Sequence, residues 1–180
     1  FAQVYPDTAE AYNQKLAPAG LEGVKPYKAK KADLKYKGEP VEKPIAYLPV
    51  FPGTNCDYDS AKAFRTAGAE VRMSVFCNLT EDDIFRSIAE MKKNIDECHI
   101  LMLSGGFSAG DEPDGSGKFI ANVLNNKEIA DAIHALIDRG GLILGICNGF
   151  QALVKSGLLP YGRLGMVTKE SPTLFRNDLN

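Results

Sequence analysis

An open, mainly parallel α/β sheet with helices on both faces is the fold class this sequence predicts, and three observations predict it. Short apolar runs alternate with helical patterns four times between Pro44 and Gly157. Parallel strands need a helix between them to make a right-handed crossover, and each gap between runs is long enough to hold one. Three of the runs open into glycine-containing loops, PGTNCD (52–57), SGGFSAGD (104–111) and the turn at Cys147, where such a sheet would carry its ligand site.

The elements follow in order. IAYLPVF (45–51) ends in Pro-Gly as a buried strand would, and DYDSAKAFRTAG (57–68) reads as a helix closed by Gly68. EVRMSVF (70–76) is the second strand. LTEDDIFRSIAEMKKN (79–94) is the second helix, with Thr80 and Asp83 spaced as a capping box, acids in its first turn and lysines in its last. HILMLSGG (99–106) is the third strand. After a loop through Pro113-Asp114-Gly115 come helical stretches around 118–124 and 127–139, the latter placing Ile129, Ile133, Leu136 and Ile137 on one face. LILGI (142–146) is the fourth strand, and a helix from about 148 to 156 ends at Gly157.

Residues 1–43 differ in texture. TAEAYNQKL fits a short helix stopped by Pro18-Ala19-Gly20, and the lysine-rich stretch that follows has few large apolar residues, so this segment is expected to be a linker or arm. Residues 44–180 are expected to hold the domain. The 180 residues are 44% hydrophobic and 24% charged with a formal net charge of -2, which points to a soluble protein with no nucleic-acid or membrane partner. No apolar run approaches the roughly 18 residues of a membrane helix, and the N-terminus has no signal-peptide pattern, so a cytoplasmic location is expected. The four cysteines, Cys56, Cys77, Cys98 and Cys147, form no C-x-x-C pair, which disfavours a zinc site or a disulfide framework. Cys77 and Cys98 read as core thiols, and Cys56 as a residue beside the candidate site.

Gly145-Ile146-Cys147-Asn148-Gly149 has the spacing of a nucleophile elbow, a sharp strand-to-helix turn that lifts its central side chain above the sheet. That turn leaves Cys147 at a helix N-terminus, where free amides and the helix dipole favour anionic groups. Thiol-based acyl chemistry also needs two donors for the oxyanion. The Asn148 amide is one candidate, and the Ser104-Gly105-Gly106-Phe107 loop offers the other. GDEPDGSGKF (110–119) is not a phosphate loop, because Glu112 and Phe119 occupy the positions of the first Gly and the Ser or Thr of that motif.

Together PGTNCDYD, SGGFSAGD and GICNGFQAL resemble the class I glutamine amidotransferase (glutaminase) domains of phosphoribosylformylglycinamidine synthases, over about residues 44–165. The resemblance implies a flavodoxin-like fold and a reaction. Cys147 would attack the side-chain amide of L-glutamine, release ammonia and form a glutamyl thioester for water to hydrolyse. The ammonia would pass to a synthetase domain of the same chain or complex, where ATP and Mg serve the amination of formylglycinamide ribonucleotide in purine biosynthesis; no cofactor is implied within residues 1–180. By position, Gly106 and Asn148 match the oxyanion donors, with Phe107 as the alternative on the loop. Gly105, Phe107 and Gln151 match the substrate side, and Asn55 and Asp111 match loop positions near the site without an assigned step.

The family also calls for a His–Glu pair downstream of the nucleophile. The two histidines here, His99 and His134, both precede Cys147 and read as structural. The expectation is therefore a chain that stops short of its base, a fragment of a longer single-chain form in which RLGMVTKESPTLFRNDLN begins a strand-rich second half. It would be inactive alone. Two rivals remain: a DJ-1-like or dienelactone-hydrolase-like protein, which also displays a cysteine on an elbow, and a non-catalytic docking module.

Overall fold

The computed structural model describes residues 40–108 and 117–174. The element order is β1 (Ile45–Val50), α1 (Asp57–Thr66), β2 (Glu70–Val75), α2 (Glu81–Glu97), β3 (Ile100–Leu103), α3 (Lys118–Leu124), α4 (Lys127–Asp138), β4 (Leu142–Gly145), α5 (Asn148–Ser156) and a short α6 (Leu158–Tyr161). The expected helix within residues 1–43 and the loop at 109–116, with Asp111, lie outside the described residues.

All three strand pairings are parallel, in the order β2-β1-β3-β4. The chain leaves β1 toward one edge and returns to place β3 on β1's other side, so the loops after β1 and β3 diverge from neighbouring strand ends. This is the switch in strand order where open α/β sheets form a crevice. Alternation along β1 divides the core between the two faces. Tyr47 meets Leu101 and Leu103 in a cluster with Met91 and Ile95 of α2, Ile129, Ile133 and Leu136 of α4, and Leu153 of α5. Ala46 and Leu48 join Met102 on the other face against Ala61 and Phe64 of α1. Helices therefore cover both faces. Beneath the loops, Phe51, Phe76 and Phe119 meet with ring centroids 5.7–6.1 Å apart. At the sheet's edge, β4 leaves Leu142 and Leu144 exposed.

Three expectations need correction. The helix expected to end near Asn94 continues to Glu97, because Ile95, fully buried, extends the stripe begun by Met91. Its last turn consequently holds no lysine; Lys92 pairs with Asp96, and Arg139 from the end of α4 reaches across to donate to the carbonyls of Ile95 and Cys98. Cys77 is exposed rather than buried, since β2 ends two residues before it and its amide is already turned toward the Ser87 hydroxyl, 2.9 Å away. Residues 162–174 form turns and no strand. There the backbone is met locally: Thr168 N–H donates to Ser171 Oγ and Glu170 N–H to Thr168 Oγ1, while Leu164 is buried and its amide donates to His134 Nε2 at 3.0 Å.

The capping box of α2 is formed as its spacing predicts. Thr80 Oγ1 accepts from Asp83 N–H at 3.1 Å, and Asp83 Oδ2 accepts from Thr80 N–H at 3.2 Å. The Thr80 hydroxyl, with Arg86 adding to it, holds the Asp83 carboxyl below its ordinary range. This contribution is present above the pKa of the unfolded carboxyl and is lost as pH falls through the depressed folded value. Thr80→Ala should cost about 1 kcal/mol of stability. It should also move the Asp83 titration, followed by carboxyl NMR, up toward the ordinary range; an unmoved midpoint would show that the hydroxyl does not set it.

Candidate active site

The elbow is built by two glycines that admit no side chain. A Cβ on Gly149 would lie 2.1 Å from the Leu103 carbonyl oxygen, and one on Gly145 would lie 2.7 Å from the Gly149 carbonyl. The first turn of α5 is thus pressed against the ends of β3 and β4, and the chain between them has little room to turn. Cys147 absorbs the turn at φ 51°, ψ -109°, the one positive φ at a non-glycine among the described residues. Such a conformation costs about 1–3 kcal/mol and persists where surrounding structure imposes it. The result is an exposed thiol as N-cap of α5.

Cys98 shows the opposite fate. It is buried in the core, and loss of solvent pushes its thiol up to about 11, which keeps it protonated and out of nucleophilic chemistry.

The loops after β1 and β3 are joined to each other by backbone alone. Asn55 N–H donates to Gly105 O at 3.2 Å and Phe107 N–H to Gly53 O at 2.9 Å, flanking a bridge between Thr54 and Gly106. The loops approach so closely that a Cβ on Gly106, at φ 146°, would stand 2.3 Å from Gly53 O. The bridge uses the amides of Asn55 and Phe107 and leaves out that of Gly106. The Phe107 amide is therefore committed, which removes it as the alternative oxyanion donor; its side chain is exposed. On the other side of the turn, the backbone bonds of α5 begin with Gly149 N–H to Ile146 O and Gln151 N–H to Cys147 O, leaving the Asn148 amide among the free first-turn donors.

Gly105 connects the loops to the thiol. A Cβ there would lie 3.4 Å from Cys147 Cβ and 3.5 Å from Cys56 Sγ, so Cys56 borders the same space, its thiol donating to Asn55 Oδ1 at 3.0 Å. The structure thus brings Gly105, Asn55, Cys56 and Cys147 together. Gln151 lies one turn into α5 beyond the thiol, its Oε1 accepting from Asn148 Nδ2 at 3.3 Å. Ser108 escapes sequence reasoning. Fully buried, it donates to Asn148 Oδ1 from its hydroxyl at 2.5 Å and from its amide at 3.4 Å. Its only signal in the sequence is its place at the end of S-G-G-F-S, and its partner is 40 residues away.

Both histidines are remote and occupied. His99 Nδ1 accepts from Ile45 N–H at 3.0 Å at the start of β1, the end of the sheet opposite the loops. His134, in α4, accepts from Leu164 N–H. No cluster of three or more His, Cys, Asp or Glu side chains suited to a metal ion occurs among the described residues.

Residues 43–180 match the family described as CobB/CobQ-like glutamine amidotransferase domain. The chain is 41% identical over 109 residues to the phosphoribosylformylglycinamidine synthase subunit PurQ of Dehalococcoides mccartyi, a match covering 61% of this chain and 38% of that protein. It is 40% identical over 118 residues to the subunit of the same name from Treponema denticola, covering 66% and 40%. Against that from Roseobacter denitrificans it is 36% identical over 115 residues, covering 64% and 44%. The matches span less than half the length of these relatives. A solved structure of PurLQS from Thermotoga maritima aligns at TM-score 0.43 and 34% identity, covering 65% of this chain and 46% of that one.

The two kinds of glycine can be separated by substitution. Gly149→Ala drives a Cβ into a backbone carbonyl that cannot move aside, and should cost about 3 kcal/mol. Gly162→Ala, at φ 70° with nothing within 4 Å, bears only the backbone penalty of about 1 kcal/mol. Denaturant unfolding compares them, and equal losses would refute the close approach as the constraint on the elbow.

Proposed function

The chain belongs to the CobB/CobQ-like glutamine amidotransferase domain family, and on that premise we propose that it carries the nucleophile side of a glutaminase site of phosphoribosylformylglycinamidine synthase. The observation that carries the reading is Cys147, exposed and strained at the N-terminus of α5 and packed beside Gly105 of the loop after β3. The identities of 36–41% to PurQ subunits support the assignment to this synthase.

In the proposed reaction, Cys147 Sγ adds to the side-chain carbonyl carbon of L-glutamine. The developing oxyanion receives the amides of Gly106 and Asn148, which neither the loop bridge nor the helix consumes. Collapse breaks the C–N bond, the leaving nitrogen takes a proton and departs as ammonia, and a glutamyl thioester remains on sulfur. Water then cleaves the thioester to glutamate and restores the thiol. The ammonia would serve a partner synthetase whose own site uses ATP and Mg, in a cytoplasmic pathway of purine synthesis. Gln151 stands on the substrate side, at the end of the Asn148 contact.

Proton transfer needs a base near sulfur, and neither histidine can serve: His99 is at the opposite end of the sheet and His134 is bound to the Leu164 amide. Residues 1–180 on their own should therefore bind a glutamine analogue but turn glutamine over negligibly. An electrophilic glutamine analogue should alkylate Cys147, located by peptide mass spectrometry, and Cys147→Ala should abolish labelling. Preferential labelling of Cys56 would move the nucleophile to the other thiol of the crevice, and rapid glutamine hydrolysis by the 180-residue chain would refute the assignment of both histidines.

A further inference from the structure

We infer that Ser108 is a positioning residue that sets which end of the Gln151 amide faces the ligand, and that the site consequently offers glutamine a donor there, suited to a carboxylate or carbonyl oxygen and not to the ammonium group. The inference rests on the glutaminase reading of the crevice and deepens it.

The polarity follows from one group that cannot reverse. An Asn or Gln side chain can be turned end for end, exchanging its carbonyl and NH2, so its direction is decided by neighbours. Ser108 N–H is only a donor, and it meets Asn148 3.4 Å away, so the Asn148 atom there must be the acceptor Oδ1. The N–H decides the direction but its contact is long; the Ser108 hydroxyl, at 2.5 Å, supplies most of the hold, and without it only the 3.4 Å contact remains. With Oδ1 fixed on Ser108, Asn148 presents Nδ2 to Gln151, and the Gln151 atom that meets it at 3.3 Å must be Oε1. The Gln151 end left over is Nε2, with two N–H donors. Ser108 and Asn148 are both buried, so the relay is shielded from competing water.

None of the relay's hydrogen bonds is made to the Cys147 sulfur, which allows a clean test on the 180-residue chain. Alkylation of Cys147 by a chloroketone analogue of glutamine is followed as a function of concentration, giving a half-saturation constant and a maximal rate. Iodoacetamide, which needs no recognition of the glutamine framework, is run alongside. Ser108→Ala should raise the half-saturation constant about three- to tenfold, with the iodoacetamide rate at Cys147 unchanged. Gln151→Ala should weaken saturation by a similar factor, and adding Ser108→Ala to it should do nothing further. Gln151→Glu, which replaces donors by an acceptor, should abolish saturation.

An unchanged constant in Ser108→Ala, a further loss in the double variant, or wild-type saturation in Gln151→Glu would each overturn the inference. So would a changed iodoacetamide rate in Ser108→Ala, because Ser108 would then be holding the elbow itself. A chain whose Cys147 reacts with iodoacetamide but shows no saturation with the chloroketone would instead sink the glutaminase reading, and this inference with it.

Discussion

The contact between Gly149 and the carbonyl of Leu103 governs the crevice. With only hydrogen where a Cβ would sit 2.1 Å from that oxygen, α5 can start directly against the end of β3, one strand in from the edge of the sheet. Everything displayed by the first turn of α5 inherits its place from that approach. Cys147 cannot relax to an ordinary φ without lifting Gly149 off β3, so the strain at the thiol is imposed by packing below it. The same contact keeps the Asn148 amide at the lip of the helix and its side chain inside, within reach of Ser108.

The remaining parts are held chiefly by backbone. The Thr54–Gly106 bridge ties the loop after β1 to the loop after β3, and its two flanking hydrogen bonds are made by main-chain atoms. Backbone donors sit in fixed directions once a loop is pinned, which is what an oxyanion site needs and what long flexible side chains supply poorly. The side-chain relay from Ser108 through Asn148 then fixes which end of the Gln151 amide meets Asn148. The relay is short, buried at Ser108 and Asn148, and anchored at an N–H.

The sequence carries much of this and misses the rest for identifiable reasons. All four strands and the helices between them are legible from apolar periodicity. The elbow is legible because its constraint is local, two glycines within five residues around the cysteine. The end of α2 is misjudged because Lys92-Lys93-Asn94 looks like a C-terminal turn, whereas the burial of Ile95 on α4 decides where the helix stops. Cys77 is misjudged because exposure near a strand end depends on the residue at which pairing ceases. Ser108 and the commitment of the Phe107 amide are invisible for a stronger reason: both depend on loops from different strands meeting in space, and no periodicity records that.

The division of chemistry within the crevice follows from the same geometry. An exposed thiol, two amides and an oriented glutamine side chain can all be presented by turns that leave one edge of a parallel sheet, since each needs only the strand beneath it and its neighbour. Both imidazoles here serve main-chain amides elsewhere, one at the opposite end of β1 and one on α4, where they meet the donors of a strand start and a buried turn. Moving either to the crevice would leave a backbone donor unmet. The groups of the crevice are thus fixed by the strand ends beneath them, while both imidazoles are fixed by main-chain amides away from it.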